Sequence, residues 1–548
     1  MTEPTNGPNS QPGPDATRPI PADATAPVPQ YTYPVASGEH AALPVSTGAV
    51  GVDLADEPAT PTPGGRKRTG LMVGALATVL VLGGAGVFAA QTLSGSGAQP
   101  SDVLPGDAYA YLRVDIDPSA GQKIAAVRFL GKLNAVKNTL GSDDPRKKLW
   151  EMASKDAGND CIAKFSYDKD VEPWLGDRVG AAIRPGGTSD TPNVAIAIQV
   201  KDEAVAKDTL TRLFACDKSS KTEVRTKDGY AIVTPSGVGD ATLAAVDKGS
   251  LSQNTTFSAD MGALGEQGIV SAWFDMATGL KELPTLSGDA SMDPATLAAA
   301  KGRFAAALRF DADYVELAGL VRGVDTAKAV KGDGSELANL PANTMAALHI
   351  AGADQMIDSG WPTLEKQLNS LGAAGSGSTD MVAEIEQQLD VKLPDDLKVL
   401  LGRSFTVAVP DQDLKGDSFT VGGKIVSSDA KRADQLIDKL AQTAGGSSDF
   451  LTHKVVGDKV YVATTPDYAD DLEAGGKLGD SDAFKLAVGD VTSSNSALFI
   501  DLDKLEKVYL GEVKGDEKTF LESLRAVGAS MSITGNGEGT FTLRVLGN

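Results

Sequence analysis

Two aspartate pairs have the clearest capacity for chemistry in this chain. Asp115 and Asp117 in VDIDPS, and Asp501 and Asp503 in IDLDK, each stand where an alternating apolar run gives way to a helical one. A D-x-D pair can hold a divalent cation, because hard cations prefer carboxylate oxygens. The same residue at the same place is also a favoured helix N-cap, accepting hydrogen bonds from the free amides of the first turn. A metal site needs further ligands, and none recurs at a fixed spacing after both pairs, so capping is the preferred reading. His349, on a predicted strand, and His453, before a hairpin, lack a partner motif and read as surface or internally satisfied histidines. No G-x-S-x-G, H-E-x-x-H, Walker loop or dinucleotide fingerprint occurs. GAAGSGSTD at 372–380 reads as a flexible loop, since no P-loop lysine follows it. No catalytic residue, metal ligand or cofactor is therefore assigned.

The only two cysteines are Cys161 and Cys216, and neither belongs to a C-x-x-C, which removes support for zinc or thioredoxin-like chemistry. In an oxidising compartment an even pair reads as a disulfide. Two independent buried thiols are the alternative, since free cysteine is among the most buried residue types.

The surrounding chain divides by composition. Residues 1–69 form a predicted disordered, proline-rich cytoplasmic tail, with 13 prolines in the first 64 positions and almost no aliphatic periodicity. Such a stretch buries too little apolar surface to offset its backbone entropy. Residues 70–92 are free of charge, long enough at about 1.5 Å per residue to span a hydrocarbon core of roughly 30 Å, and predict one anchor helix. Arg66, Lys67 and Arg68 directly precede it, so the positive-inside rule places the N-terminus in the cytoplasm and the rest outside. A cleaved signal peptide is the alternative, disfavoured by the length of the apolar stretch and of the tail before it. A linker covers 93–100. The formal net charge of −22 argues against nucleic-acid partners, because such a chain repels phosphate backbones.

Residues 101–323 and 338–548 align with one another across a junction at 324–337. LPGDAYAYLRVD (104–115) meets LPANTMAALHIA (340–351), and WLGDRVGAAI (174–183) meets LLGRSFTVAV (400–409). VAIAIQV (194–200) meets TVGGKIV (420–426), YAIVTP (230–235) meets YVATTP (461–466), and SAWFDMATGL (271–280) meets ALFIDLDKLE (497–506). Each copy reads as a short alternating strand, a helix, two strands near 178–184 and 193–200, a helix near 202–215, paired short strands, a strand–helix unit and a closing hairpin. The expected fold class is α+β: a tandem duplication, each copy a largely antiparallel sheet with helices on one face, preceded by the tail and one transmembrane helix.

At these motifs the chain resembles a known group. LPGDAYAYLRVDIDPSAGQK (104–123) followed by WLGDRVG (174–180) is similar to bacterial single-pass membrane proteins of domain-of-unknown-function family 3352. The resemblance extends over 101–547 and implies the tail–anchor–outer-domain layout. It brings no activity, cofactor or functional residue.

Three functions stay open at this point. The first is a non-enzymatic cell-envelope protein whose duplicated outer domain binds or scaffolds an unknown partner. The second is a carrier or sensor for an apolar small molecule, which requires an apolar cavity. The third is a hydrolase using scattered carboxylates, which requires them to converge. The expected partners are the membrane, through one helix, and an envelope protein or small molecule.

Overall fold

The computed structural model describes residues 97–133, 144–156, 160–188, 192–217, 221–287, 301–324, 331–375, 380–414, 419–443, 451–511, 513–534 and 537–548. The tail, Arg66, Lys67, Arg68 and the 70–92 stretch lie outside these residues.

The first half runs β1 (Ala110–Asp115), α1 (Ala120–Lys132), α2 (Pro145–Asp156), β2 (Leu175–Ile183), β3 (Val194–Val200), α3 (Glu203–Phe214), β4 (Thr222–Lys227) and β5 (Tyr230–Pro235). It continues with α4 (Gly239–Lys248), α5 (Thr255–Leu264), β6 (Val270–Asp275), α6 (Met276–Ser287), β7 (Arg303–Phe310) and β8 (Tyr314–Arg322). The second half opens with a single turn, α7 (Ser335–Ala338), then β9 (Thr344–Ala351), α8 (Ala353–Gly375), α9 (Met381–Leu389), α10 (Asp395–Leu401), β10 (Ser404–Pro410) and β11 (Gly422–Val426). It proceeds through α11 (Ala430–Thr443), β12 (Thr452–Val456), β13 (Lys459–Ala463), α12 (Pro466–Ala474), α13 (Asp482–Ala487) and β14 (Ser496–Asp501). It ends with α14 (Leu502–Tyr509), α15 (Gly515–Leu521), β15 (Leu524–Thr534) and β16 (Glu538–Gly547).

Local chemistry sets many of these boundaries. Asp202 starts α3 by accepting from the amides of Ala204 and Val205 at 3.0 Å, and Asn254 and Thr465 cap α5 and α12 in the same way. The β4–β5 hairpin turns on Asp228 and Gly229, both at positive φ, the two-residue geometry whose twist suits paired strands.

The sixteen strands among the described residues join one antiparallel sheet in the order β12-β13-β11-β10-β9-β14-β15-β16-β8-β7-β6-β1-β2-β3-β5-β4. The order 4-5-3-2-1-6-7-8 therefore occurs twice, and the two runs meet where β8 pairs with β16. The register there is two-fold: Glu316 faces Arg544 and Leu320 faces Thr540, and adding 224 to 316 and 320 gives 540 and 544. A pseudo-two-fold axis thus passes between Ala318 and Thr542, perpendicular to the sheet.

This corrects the expected fold class in three respects. There is one sheet rather than one per copy, because β8 and β16 each end their half with an unpaired edge and satisfy it on one another. Pairing between strands more than 200 residues apart leaves no local trace in sequence. Helices cover both faces rather than one. Finally, among the described residues no helix is long and apolar enough to cross a membrane.

One face is closed. In the first half Tyr111, Trp273 and Leu320 pack beneath Leu104, Leu251, Phe257 and Met261. In the second half Phe499, Ala526 and Leu546 pack beneath Leu337, Leu340, Leu472 and Phe484. The other face is covered in part. Phe129 and Leu130 of α1 rest on Leu308, Phe310 and Val315; Ala206 and Leu210 of α3 rest on Ile196, Ile198 and Val233; and Ala433 and Ile437 of α11 rest on Ile425 and Val460.

Candidate binding face

The aspartates singled out above serve the fold. Asp115 is 1% exposed, ion-paired to Arg113 and, at 2.9 Å, to Arg178 Nε, and it accepts the amide of Asp117 at 3.0 Å. Asp117 pairs with Lys123. Asp501 accepts the amide of Lys504 at 3.2 Å as the N-cap of α14, and Asp503 accepts from Asn548 at 3.1 Å. Among the described residues no group of three or more His, Cys, Asp or Glu is placed to hold a metal ion.

The histidines differ from one another. His349 is fully buried, with Nδ1 2.8 Å from Thr406 Oγ1, and burial holds its pKa below the usual value. His453 lies between Asp434 and Asp438. Partial burial opposes its charge, but the two carboxylates outweigh that cost and raise its pKa. Cys161 and Cys216 form a disulfide with Cα atoms 5.5 Å apart, inside the span a bridge requires.

Sequence reasoning missed three further buried ionic groups. Asp260, 0% exposed, accepts from Trp273 Nε1 at 2.9 Å and from Arg303 Nε at 2.7 Å, with Arg322 at 3.6 Å. Glu316 holds Arg309 at 2.7 Å and, across the two-fold, Arg544 at 2.8 Å, whose guanidinium also lies 4.5 Å from the Tyr314 ring centroid. Buried Lys424 pairs with Glu336 at 2.5 Å, and Lys459 adds a second cation at 2.8 Å. Each carboxylate is neutralised by cations it touches. A cleft of about 530 Å³ between α3 and β4, beside Cys216, carries Lys207, Asp217, Glu223 and Arg225 on its walls; Glu223 and Arg225 are ion-paired at 3.0 Å.

The middle of the second face, left partly accessible among the described residues, has a different chemistry. Strand alternation and pairing register put Leu112 of β1, Ala272 and Phe274 of β6, Phe304 and Ala306 of β7, and Leu317 and Val321 of β8 on it. Across the axis follow Phe541 and Leu543 of β16, Ala529, Met531 and Ile533 of β15, Leu498 and Ile500 of β14, and Ala346, Leu348 and Ile350 of β9. No charged side chain interrupts these positions. All but Ala306 remain partly accessible, with Leu317 at 36%, Leu543 at 39% and Met531 at 39%. Gly319 has a specific role here. The Phe541 ring lies directly over it, where a Cβ would come within 2.2 Å, and stacks on Phe304 at 5.7 Å between centroids. The aromatic rings therefore lie flat and keep the floor shallow.

α6 covers the floor at Phe274, where a Cβ on Gly279 would come within 2.3 Å of the ring, but the helices on the other side do not seal it. α14, which packs against β15 and β9, carries Leu502, Leu505, Val508 and Tyr509 at helical spacing, yet none of its residues is buried. The same holds for α15, where Phe520 is 37% exposed. Soluble proteins seldom leave contiguous apolar surface of this extent without a binding role.

Residues 71–252 match the model of a family described as a protein of unknown function (DUF3352). No curated protein and no solved structure matches the chain.

Proposed function

We propose that this chain is a non-enzymatic binding protein of the cell envelope, working outside the cytoplasm, that holds an apolar partner on the open face of its sheet. The observation carrying this reading is the charge-free, partly accessible apolar floor that runs unbroken across the two-fold axis from β1 to β9. The Cys161–Cys216 bridge supports the extracytoplasmic setting, because disulfides persist in oxidising compartments. The neutralised carboxylates favour binding over hydrolysis, since a general acid or base has to be within reach of a substrate proton. Of the two binding readings, a carrier for an apolar molecule fits better than a protein scaffold, whose contact surface would have a polar rim and interspersed hydrogen-bonding groups.

The test is titration of the full-length chain with Nile red, an uncharged polarity-sensitive dye. Saturable binding is expected, weakened about a hundredfold by Leu317→Gln with Leu543→Gln, each change removing roughly 1.5 kcal/mol of apolar contact. Both positions are exposed, so circular dichroism should be unchanged. No saturable binding, or equal binding by the variant, overturns the reading.

A further inference from the structure

We infer that the outer edge of β4 is a docking groove for a single extended peptide strand of another protein, with α3 as its wall. Three observations carry this inference. First, the groove follows a backbone. The cleft of about 530 Å³ between α3 and β4 is lined by Thr222, Glu223, Val224 and Arg225 in unbroken succession. Successive strand residues point to opposite faces, so a cleft that touches four in a row runs along the edge of the strand and not over one face. The facing wall is one side of α3, with Lys207, Thr211 and Phe214 at helical spacing, continued by Ala215.

Second, that edge presents the groups that pair strands. β4 ends the sheet and pairs with β5 alone among the described residues. Lys227 and Tyr230 flank the Asp228–Gly229 turn and start the alternation of bonded and non-bonded pairs. The Ser236 amide reaches the Lys221 carbonyl at 2.8 Å in the same phase. The backbone groups of Val224 and Thr226 therefore turn outward, away from β5. The Val224 carbonyl meets the tip of the Arg225 guanidinium there, at a long 3.4 Å. Donors and acceptors at the strand repeat are matched by another extended backbone. A hydrocarbon chain has none to offer, and a helix has spent its own internally.

Third, the side chains leave space for one strand. The charges of β4 lie on its other face, committed to α4: Glu223 accepts the Gly239 amide at 2.5 Å, while Arg225 pairs with Asp240 and Lys227 with Asp247, both at 2.8 Å. Val224 packs with α3, and Thr222 and Thr226 share its face, so an incoming strand sets small uncharged side chains against Thr211 and Phe214. α3 stands beside the edge and leaves width for one strand, not for a second helix-covered sheet. At the far rim charge clasps β12 from both faces instead, His453 by Asp434 and Asp438 of α11 and Lys454 by Asp470 and Glu473 of α12.

The experiment is fluorescence anisotropy of a labelled, end-blocked short peptide that alternates valine and threonine, titrated with the full-length chain. Saturable binding is expected. The same peptide N-methylated at every amide keeps its side chains, loses its donors, and should bind about tenfold more weakly or worse. Thr226→Pro removes one outward amide and spares the bonds to β5, a change that edge strands accept, and should weaken the peptide about tenfold. Ala215→Trp, at an exposed position, fills the groove from the α3 side and should do the same. Both variants should keep the circular dichroism spectrum and the Nile red binding of the unaltered chain, which separates this groove from the open floor. No saturable binding, equal binding of the N-methylated peptide, or equal binding by both variants overturns the inference. A concentration-dependent dimer dissolved by Thr226→Pro would show that a second copy takes the edge, and would overturn it as well.

Discussion

On the closed face of the first half, Asp260 is buried between Arg303 and Arg322. The register of the second half puts Ala487, Ala526 and Leu546 at the equivalent places, all three inside its apolar core. The contrast recurs one strand over. Arg113, Asp115 and Arg178 form a buried ionic group in the first half, where the second has His349, Ala351 and Ser404. The second half has its own buried pair, Lys424 with Glu336, at positions equivalent to Ala197 and Pro100. One fold thus accepts ionic and hydrocarbon solutions at the same sites, consistent with buried ion pairs being interchangeable with well-packed apolar groups. The lesson for function is that these charges belong to how each half packs. What the halves share, and build jointly, is the open apolar face.

The largest expected effect sharpens this asymmetry. Cys216→Ser should destabilise the first half by about 4 kcal/mol, the chain-entropy value for a 55-residue loop. The second half, with Gln387 and Gln442 at the corresponding sequence positions, should be unaffected by reductant. Hydrogen exchange read separately over β2–β5 and β10–β13 checks this, and equal loss in both halves would show that they unfold as one unit. Next, Asp260→Ala should cost about 3 kcal/mol by leaving two arginines facing a buried gap. Asp260→Ala combined with Arg303→Ala and Arg322→Leu copies the second half and should recover most of that loss in urea unfolding. A triple variant as unstable as the single one would break the comparison.

Two smaller effects depend on pH. Burial opposes the Glu336 charge, but Lys424 and Lys459 outweigh it and hold its pKa below the ordinary 4.5. Its stabilisation is therefore present above pH 4.5 and lost as the pH falls through the depressed value. Glu336→Gln should remove about 2 kcal/mol at neutral pH and flatten that acid limb. His453 has the opposite sign. Its pKa is raised above 6.5, so its stabilisation is complete below pH 6.5 and fades as the pH rises through the raised value. Being partly exposed, the pair should contribute under about 1 kcal/mol, and His453→Gln should abolish the alkaline slope in thermal melts.

Local elements were the legible part of this molecule. Strands expected near 178–184 and 193–200 lie at Leu175–Ile183 and Val194–Val200, and the helix expected near 202–215 lies at Glu203–Phe214. Alternation and capping residues are short-range signals, and they carried that much. Register was harder to read. Aligning VAIAIQV with TVGGKIV pairs Ile198 with Lys424, whereas the ladder pairs Ala197 with it, and a slip of one residue moves a side chain to the other face. That slip hid Lys424, which a sequence reading would place in solvent. The open face was hidden for another reason. The pattern Val315-x-Leu317-x-Gly319-x-Val321 announces an apolar face, but only the placement of helices decides whether that face is covered.

Joining β8 to β16 has one more consequence. A sheet whose inner edges are spent on each other has two outer edges left, β4 and β12, and the two-fold makes them alike. An object with two similar sticky ends is a bifunctional monomer, able in principle to grow into a filament by adding sheet to sheet. Both ends are blunted. β4 is six residues long and carries Glu223, Arg225 and Lys227, while β12 is five residues long and carries His453 and Lys454 beside Asp434, Asp438, Asp470 and Glu473. Short strands studded with charge are poor templates for edge pairing. The chain can therefore display a wide apolar floor at high local concentration without polymerising through its rims.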